Sequence, residues 1–551
     1  MKSLFALTAA VLLLLLCASC ATSSNHVRPY SESANEYTDA IAVEGGLLRG
    51  MYSADKAVEF YGAIPYAAPP VGNLRWREPQ DASAWNGIRD ASHFPPVAMQ
   101  YRAPAAIARI LDPHAKENPA YATTRSEDCL YLNVWKPSGA HEKLPVIVYF
   151  HGGALIIGGS MEPLYHGEHM AREHNIIMVT VGYRLGVFGY FAHESLAAES
   201  EHGTTGNYGL LDQIKALEWV HDNIACFGGD AQNVTIAGQS AGASSVNALC
   251  ASPLAQGLFV RAIAASSSLV AVRPFHTFST METALADSKA VMKHFRAKTV
   301  AELRALPAEK LVRYLRFFPG ITVDGYALPQ SVYELYRNGS THETALLHGY
   351  NADEAGGLTL FLLLSRGKVT KKNYSKMLAE PFGTNWRIVA KEHPGTTNRM
   401  AQENYMQLVT SAGFGYPHRN WSRSLTERGI PVYEYYFTKT RTSHKKSSNG
   451  YSYVFGFTGT KNKGNQHGGE LPYAYGNMMG ANFDANDFVL RTVMMSYWAN
   501  FARTGNPNAS GLPHWESYAE NGKLLEIGNT ISMKDDVHAE TYTLIDTMYA
   551  Q

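Results

Sequence analysis

The sequence predicts an α/β fold, in which a mostly parallel central sheet carries helices on both faces. Two observations predict it. Short apolar runs rich in β-branched residues recur along the chain, which is typical of strands that are buried on both faces. Segments with apolar residues at helical spacing separate these runs, and a chain that alternates strands and helices in this way builds a parallel sheet.

The predicted elements follow one another in a regular order. Strands are predicted at residues 146–150, 176–181, 234–237, 345–347 and 432–437, and helices at 209–225, 241–250 and 487–503. Residues 273–340 and 357–425 are more helical and less regular, so we interpret them as helical insertions beside the sheet. Because there is no internal repeat and no long low-complexity tract, residues 38–551 are predicted to form one large domain.

The first 20 residues have the composition of a secretory signal. Lys2 supplies a positive charge, residues 4–16 form an almost unbroken apolar run, and small residues follow. The run is too short and wrongly flanked for a stable membrane-spanning helix. We therefore predict that the chain is exported and that residues 1–20 are a signal peptide.

The end of this segment, Cys-Ala-Ser-Cys at residues 17–20, resembles the lipobox of bacterial lipoproteins. In that interpretation Cys20 becomes the acylated first residue of the mature protein, and the polar residues 21–37 form a tether. The protein would then be periplasmic or on the cell surface, with the lipid anchor at Cys20 as its one membrane contact. The alternative is ordinary signal-peptidase cleavage near Ala21.

Charge and cysteine content argue against several other functions. The chain has 48 basic and 48 acidic side chains, and this balance gives no indication of a nucleic-acid partner. No cysteine spacing is typical of a zinc site. Without Cys17 and Cys20 three cysteines remain, so at least one is unpaired. We interpret Cys129, Cys226 and Cys250 as small buried apolar side chains.

Residues 238–242, Gly-Gln-Ser-Ala-Gly, fit the pattern Gly-x-Ser-x-Gly. The pentapeptide alone is a weak signal, but a predicted strand runs into it and a predicted helix leaves it, which is the context of a nucleophile elbow. The sharp turn requires small residues two positions before and after Ser240, and both are glycine. The sequence therefore predicts the α/β-hydrolase fold with Ser240 as nucleophile. The alternative is a buried Gly/Ser turn.

A second motif, His-Gly-Gly-Ala at residues 151–154, directly follows the predicted strand at 146–150. Two glycines after a strand let backbone N–H groups approach a negatively charged oxygen closely. Together with the Ala241 N–H, the N–H groups of Gly152 and Gly153 are predicted to form an oxyanion hole. The alternative is an ordinary glycine turn at the end of a strand.

A serine nucleophile needs a base that is oriented by a carboxylate, and in this fold the chain order is serine, acid, histidine. The chain has 21 histidines, so position alone selects none of them. Glu354 and His467 both lie on predicted loops that follow apolar segments, where a site at the top of the sheet requires them. Spacing alone leaves this pairing open.

Beyond the elbow, several ordered segments match the signatures of one family. They are residues 64–75, 127–134, 183–186, 207–213, 227–242 and 498–508. With them the sequence resembles the type-B carboxylesterase/cholinesterase family over nearly the whole mature chain. The resemblance implies that Ser240, Glu354 and His467 form a triad that hydrolyses carboxylic esters through an acyl-enzyme. It also implies a small-molecule ester as the partner and no metal or organic cofactor.

Three departures from the family pattern are informative. Residue 239 is Gln where many members have an acid, which slightly disfavours a charged imidazole at His467. Cys129 lacks the upstream cysteine that usually pairs with it in the family, so it is predicted to be unpaired. No tryptophan lies between Trp85 and Trp135, where cholinesterases bind a quaternary ammonium group, and a choline ester is therefore disfavoured.

The sequence gives few indications of which residues form the substrate pocket. Gln239, Phe361 and Met478 are candidate substrate-binding residues, and core packing is the alternative for Phe361 and Met478. The basic residues 439–446 are interpreted either as a solvated loop or as a rim that attracts carboxylate-bearing esters, such as toxin esters of polycarboxylic acids.

Two other functions stay open. The same scaffold serves lipases, feruloyl esterases and tannases, which differ in the pocket rather than in the chemistry. Some proteins with cholinesterase-like domains are non-catalytic adhesion modules, but these typically lose the nucleophile, and this chain keeps all three triad residues. No oligomeric state is predicted.

Overall fold

Strands and helices alternate along the described part of the chain. The computed structural model describes residues 36–102, 123–139, 143–275, 278–358, 362, 366–440, 465–478 and 483–549. The strands are β1 (Tyr37–Val43), β2 (Gly46–Tyr52), β3 (Val58–Pro65), β4 (Ile88–Asp90), β5 (Val97–Ala98), β6 (Arg125–Ser126), β7 (Tyr131–Pro137), β8 (Leu144–Phe150), β9 (Ile177–Val181), β10 (Gly229–Gln239), β11 (Arg261–Ala265), β12 (Ser279–Thr280), β13 (Thr322–Val323), β14 (Leu346–Asn351), β15 (Val432–Phe437), β16 (Leu524–Ile527) and β17 (Ile531–Lys534).

The longer described helices have at least seven residues each. They are α1 (Glu168–His174), α2 (Tyr208–Asn223), α3 (Ala241–Ala251), α4 (Met281–Phe295), α5 (Tyr374–Phe382), α6 (Trp386–Glu392), α7 (Asn398–Leu408), α8 (Tyr416–Thr426), α9 (Ala485–Thr504) and α10 (Ala539–Tyr549). Shorter helices lie at Gly186–Tyr190, Glu194–Ala197, Val300–Arg304, Ala308–Leu311, Val332–Arg337, Glu354–Gly357, Leu471–Ala474 and Tyr518–Asn521.

The central sheet has the strand order β1-β2-β3-β7-β9-β8-β10-β11-β14-β15-β16-β17, with β4 beside β2. The block from β9 to β16 is parallel throughout. The strands from β1 to β7 at one edge, and β17 at the other, pair antiparallel with their neighbours in this order. The predicted fold class, an α/β fold with a mainly parallel sheet, is confirmed.

The pairing registers bring the carboxyl ends of the middle strands to one edge of the sheet. Phe150 of β8 pairs with Gly238 of β10, Gln239 pairs with Ala265 of β11, and Ala265 pairs with Gly349 of β14. The loops that follow these strands are therefore neighbours. In open α/β sheets this edge is where ligands bind.

Alternating side chains of the middle strands build separate cores on the two faces of the sheet. On β8, Val146, Val148 and Phe150 lie in one apolar cluster, and Ile147 and Tyr149 lie in the other. Helices α2 and α3 belong to the first cluster, and α9 belongs to the second. Since each fully buried large apolar side chain contributes about 1.5–3 kcal/mol, the two cores fix the strands that carry the site.

The predicted elements are confirmed, with differences at their ends. The helix predicted at 209–225 spans Tyr208–Asn223, and a 3₁₀ turn at Ile224–Phe227 follows it. This turn also corrects the interpretation of Cys226, which is exposed, because Ile224 and Phe227 are the residues of the turn that face the core. Cys129 and Cys250 are buried, as predicted, and all three cysteines are free.

The chain between β14 and β15 is a helical insertion, as predicted for residues 357–425. It contains α5 to α8 and a seven-residue π-helix at Val409–Gly415, and it supplies most of a third apolar cluster, to which α10 also contributes. A π-helix is rare and is frequently found at a functional site. This one runs directly into α8.

The predicted signal peptide and Cys20 lie outside the described residues, as does most of the predicted tether, and β1 begins at Tyr37. Among the helices that the structure describes, none has both the length and the apolar composition needed to cross a membrane.

Candidate active site

A strained turn carries Ser240 between β10 and α3. Its φ of 57° and ψ of −127° lie in a region that residues other than glycine rarely occupy, at a cost of about 1–3 kcal/mol. The Ser240 N–H donates to the Ala265 carbonyl at 2.8 Å, and the Ser240 carbonyl accepts from the Ser244 N–H at 3.0 Å. The turn is thus held by β11 and by the first turn of α3, and Ser240 stays partly exposed.

The glycines on either side of Ser240 are required by space. A Cβ on Gly242 would lie 2.0 Å from the Phe150 carbonyl oxygen, and a Cβ on Gly238 would lie 2.4 Å from the Gly242 carbonyl. Both distances are far inside van der Waals contact. The predicted need for small residues is confirmed, and the strand–Ser240–helix segment has the geometry of a nucleophile elbow.

His467 and Glu354 form a buried pair. His467 Nδ1 lies 2.5 Å from Glu354 Oε2, and the two side chains are 1% and 0% exposed. Because a carboxylate oxygen accepts, Nδ1 carries the proton and Nε2 is the basic nitrogen. The structure therefore brings together the two residues whose pairing spacing alone left open, in the tautomer that a general base needs.

Hydrogen bonds join the loops that carry this pair. The Asp353 N–H donates to the Asn465 carbonyl at 3.0 Å, and Asp353 pairs with Gln466 as an isolated bridge. Asn351, the last residue of β14, donates its N–H to Glu354 Oε1 at 2.7 Å and its Nδ2–H to the Gln466 carbonyl at 2.9 Å. The loop that carries Glu354 and the loop that carries His467 are thus fixed relative to each other.

The side chain of Gln239 connects the histidine to the elbow. Gln239 is buried and immediately precedes Ser240, and its Nε2 lies 3.2 Å from His467 Nε2. An amide nitrogen donates, so it bonds only an unprotonated Nε2 and favours the same tautomer as Glu354 does. This candidate substrate-binding residue therefore contacts the histidine, and the imidazole lies against the residue that immediately precedes Ser240.

The loop after β8 lies against the elbow. A Cβ on Gly152 would come within 3.1 Å of Ser240 Cβ, and Gly153 has a φ of 111° with its Cβ position 1.9 Å from the Ile157 carbonyl oxygen. Glycine is therefore needed at both positions. Ala241, the first residue of α3, follows Ser240 directly. Gly152 and Ala241 therefore lie beside Ser240, and Gly153 follows Gly152 in the same loop, so the three candidate oxyanion donors are neighbours of the Ser240 turn.

Ala154 is a further candidate donor in the same loop. The Gly153 carbonyl accepts from the N–H groups of Ile156 and Ile157, both at 3.0 Å, and these bonds fix the Gly153–Ala154 peptide. Ala154 has a φ of 54° and is partly exposed. Sequence reasoning missed it because alanine does not have the glycine signal on which the oxyanion prediction depended.

A second carboxyl group lies beside the His467–Glu354 pair. Glu470 is buried, and its Oε2 accepts from Asn351 Nδ2 at 2.5 Å. Burial and the neighbouring Glu354 carboxylate raise the pKa of Glu470 to about 7. Within the described residues, no cluster of His, Cys, Asp or Glu has the geometry to hold a metal ion. Sequence reasoning gave Glu470 no role, although it lies only three residues after His467.

Glu470→Gln is expected to flatten the pH dependence of stability. The pKa of Glu470 is higher in the folded protein than its ordinary value of 4.5, so the free energy of unfolding falls as the pH rises from that value through 7. The unaltered protein should lose about 1–3 kcal/mol between pH 5 and 8 that the variant keeps. Thermal unfolding at both pH values measures this, with Glu403→Gln at an exposed carboxyl as control. An identical pH dependence in parent and Glu470→Gln would contradict it.

The structure tests the predictions for the remaining candidate pocket residues to different extents. Phe361 lies outside the described residues, as do residues 441–446 of the basic stretch. Met478 is half-buried and packs against the apolar cluster of α9, as the core-packing alternative expects. Lys439 is 4% exposed and pairs with Asp487 at 3.2 Å, so its inclusion in a surface rim was wrong. It lies two residues beyond β15, where the chain still packs against α9, and the ion pair compensates the buried charge.

Phe414 is a candidate pocket residue that the sequence did not indicate. Its ring centroid lies 5.5 Å from that of the His467 imidazole, at an interplanar angle of 60°. Phe414 is partly exposed and comes from the π-helix at Val409–Gly415. The insertion has no recognisable motif, so only the folded chain shows that this ring reaches the histidine.

One family model and several known proteins are similar to this chain. The model, described as the carboxylesterase family, matches residues 38–545. Carboxylesterase 1D of Rattus norvegicus is 34% identical over 506 residues, which cover 86% of this chain and 85% of that protein. Fumonisin B1 esterase of Sphingopyxis macrogoltabida is 31% identical over 510 residues, with 90% and 86% covered. The solved structure of carboxylesterase EST55 from Geobacillus stearothermophilus matches with a TM-score of 0.76 at 28% identity, covering 92% of this chain and 100% of that chain.

Proposed function

Because this chain belongs to the carboxylesterase family and is a carboxylic ester hydrolase, we propose that Ser240, His467 and Glu354 are its catalytic triad. The observation that carries the proposal is the 2.5 Å contact between His467 Nδ1 and Glu354 Oε2. The strained turn at Ser240 and the Gln239 contact to His467 Nε2 support it, because Gln239 immediately precedes Ser240 and its side chain contacts the basic nitrogen.

In the proposed mechanism, His467 Nε2 takes the hydroxyl proton of Ser240 while the Ser240 oxygen attacks the ester carbonyl carbon. The imidazolium then gives that proton to the departing alcohol, which leaves the acyl group on Ser240. Water, deprotonated by the same nitrogen, hydrolyses the acyl-enzyme and restores the serine. Glu354 keeps the other imidazole proton on Nδ1 and stabilises the imidazolium.

The oxygen that becomes negative in the tetrahedral intermediate binds the backbone N–H groups of Gly152, Gly153 and Ala241, with Ala154 as an additional candidate. One such donor is typically worth about 2.7–4 kcal/mol in the transition state. Helix α3 begins at Ala241, so the positive end of its dipole also points at this oxygen.

Short, neutral carboxylic esters are the proposed general substrates, and carboxylate-bearing esters are a second class. The second class is supported by the likeness to a protein named fumonisin B1 esterase and by the basic residues Arg441, Lys445 and Lys446. We expect p-nitrophenyl acetate and butyrate to be hydrolysed with a kcat of about 1–10³ s⁻¹. If the second class is correct, the double variant Lys445→Gln with Lys446→Gln should raise KM for a dicarboxylic-acid monoester but not for the neutral esters.

A panel of esters separates this proposal from the alternatives. Activity that rises with acyl-chain length would favour a lipase, and activity confined to feruloyl or galloyl esters would favour a feruloyl esterase or a tannase. No hydrolysis of any ester in the panel would contradict the proposed substrates. An unchanged KM ratio of anionic to neutral esters in the lysine variant would contradict the role of the basic stretch.

Residues 38–551 are the proposed catalytic domain, which a lipid on Cys20 and the tether of residues 21–37 would attach to a membrane outside the cytoplasm. The support is the apolar run at residues 4–16 followed by Cys-Ala-Ser-Cys. In a bacterial host, labelled palmitate should enter the unaltered protein but not Cys20→Ala. Equal labelling of the two proteins, or no labelling of either, would contradict the anchor.

A further inference from the structure

A buried imidazole holds the oxyanion loop. His151, the first residue after β8, is 1% exposed, and its Nδ1 lies 2.7 Å from the Gly152 carbonyl oxygen. A carbonyl oxygen only accepts, so Nδ1 is the donor. Burial lowers the pKa of His151 to about 4, so the imidazole is neutral near pH 7 and carries its one proton on Nδ1.

A buried tyrosine holds His151 in turn. The Tyr183 hydroxyl donates to the His151 carbonyl oxygen at 2.6 Å, and its ring stacks on the imidazole with the centroids 4.5 Å apart. Burial raises the pKa of Tyr183 well above its usual value, so the hydroxyl remains a donor. The next residue, Arg184, forms a buried ion pair with Asp212 at 2.7 Å, which anchors this segment.

Each of the two bonds sets the direction of one N–H group. In a trans peptide the C=O and N–H groups point in opposite directions, and in the described chain only the peptide at Arg273–Pro274 is cis. The bond from His151 Nδ1 to the Gly152 carbonyl therefore points the Gly153 N–H away from the imidazole. The bond from Tyr183 to the His151 carbonyl fixes the Gly152 N–H in the same way.

We propose that His151 and Tyr183 are positioning residues for the oxyanion hole, in which His151 aims the Gly153 N–H and Tyr183 holds His151 and the Gly152 N–H. This rests on the proposed function, in which those N–H groups bind the oxyanion. Gly152 and Gly153 have no side chains that could fix their peptides, so the neighbouring side chains do it through the carbonyl groups. A donor that is already aimed stabilises the developing charge without reorganising during the reaction.

Substitutions at the two residues test the proposal. His151→Leu removes the donor, and His151→Asn supplies one again, because Asn Nδ2 can take the place of His Nδ1. We expect kcat for p-nitrophenyl acetate to fall by about 10–100-fold in His151→Leu, less than for loss of a whole oxyanion donor, and to recover in part in His151→Asn. Tyr183→Phe removes only the hydroxyl and should lower kcat by a smaller factor than His151→Leu does.

Two readouts distinguish positioning from a general loss of structure. KM should stay within about threefold of the parent, because the ground-state ester makes little use of the oxyanion hole. The inhibition constant of a trifluoromethyl ketone, which forms a tetrahedral adduct on the serine, should rise by the factor by which kcat/KM falls. A merely structural change would not link these two quantities.

His166→Leu is the matched control. His166 is a half-buried histidine whose Nε2 lies 3.0 Å from the Met161 carbonyl oxygen, and burial lowers its pKa to about 4 as well. This variant should lose thermal stability and keep the parental kcat.

The outcomes separate this proposal from the proposed function. Parental kcat in folded His151→Leu, or an equal loss of kcat in His166→Leu, would overturn the positioning role and leave the triad standing. If His151→Leu does not fold, parental kcat and ketone affinity in Tyr183→Phe would overturn it. Activity that does not depend on Ser240 in the parent protein would overturn the proposed function, and the positioning role with it.

Discussion

Ser240→Ala is expected to lower kcat for p-nitrophenyl acetate by about 10⁴–10⁶-fold. The variant keeps the elbow and the oxyanion donors, but it has no atom that can carry the acyl group. What remains is the modest acceleration that oxyanion binding and substrate orientation give to attack by water. Release of p-nitrophenol at saturating ester, at protein concentrations high enough to detect the residual rate, measures the loss.

Ser244→Ala is the matched control for this experiment. Ser244 lies one turn further along α3, and its hydroxyl bonds that of Ser267 at 2.7 Å rather than the histidine. It should keep most of the parental kcat. If Ser240→Ala retained a comparable rate, the hydrolysis would not pass through an acyl group on Ser240.

Glu354→Gln is expected to lower kcat by about 10⁴-fold through the wrong imidazole tautomer. Glu354 accepts from the Asn351 N–H through Oε1 and from His467 Nδ1 through Oε2. In the variant the Asn351 N–H still requires an acceptor, so the amide oxygen of the new side chain takes the place of Oε1. The amide nitrogen then takes the place of Oε2 and faces His467 Nδ1. Because an amide nitrogen donates, Nδ1 must lose its proton, and the proton moves to Nε2, where it blocks general-base action. The pH–rate profile and kcat of the variant measure this effect.

Glu470→Gln is the control variant that shows which of the two buried carboxyl groups orients the imidazole. Glu470 is the other buried carboxyl on these loops, and its bonded partner is Asn351 rather than the imidazole Nδ1. It should keep most of the activity and change mainly the pH dependence of stability. If Glu470→Gln lost as much activity as Glu354→Gln, the assignment of Glu354 as the orienting acid would be wrong.

The sequence was sufficient for the parts of the site that depend on local geometry. The elbow needs glycine on both sides of Ser240, because a Cβ on Gly238 would lie 2.4 Å from the Gly242 carbonyl of the same turn and a Cβ on Gly242 would lie 2.0 Å from the Phe150 carbonyl oxygen of β8, and that requirement leaves a motif. The strands buried on both faces, such as β8, leave continuous apolar runs. Pattern and propensity are enough where a sharp turn or a buried strand imposes its requirement on consecutive residues of one segment.

Contacts between distant parts of the chain could not be predicted in the same way. Glu354 and His467 are 113 residues apart, and spacing alone did not select the pair among the histidines. Phe414 reaches the imidazole from a helical insertion without a motif, and Lys439 is buried where the chain packs against α9, with Asp487 as its ion-pair partner. In each case a long-range packing contact decides what the residue does.

The central claim, that Ser240 is the nucleophile of an ester hydrolase, is tested most directly by covalent labelling. A fluorophosphonate ester transfers its phosphonyl group to a serine that an adjacent base activates, with loss of fluoride, and mass spectrometry of the digested protein locates the adduct. We expect one adduct per chain, on the peptide that contains Ser240, and esterase activity should fall in proportion to labelling. Ser240→Ala should not be labelled, and the reagent should not change its residual activity. Labelling of a different residue in parallel with the loss of activity, or full loss of activity without an adduct on Ser240, would contradict the account.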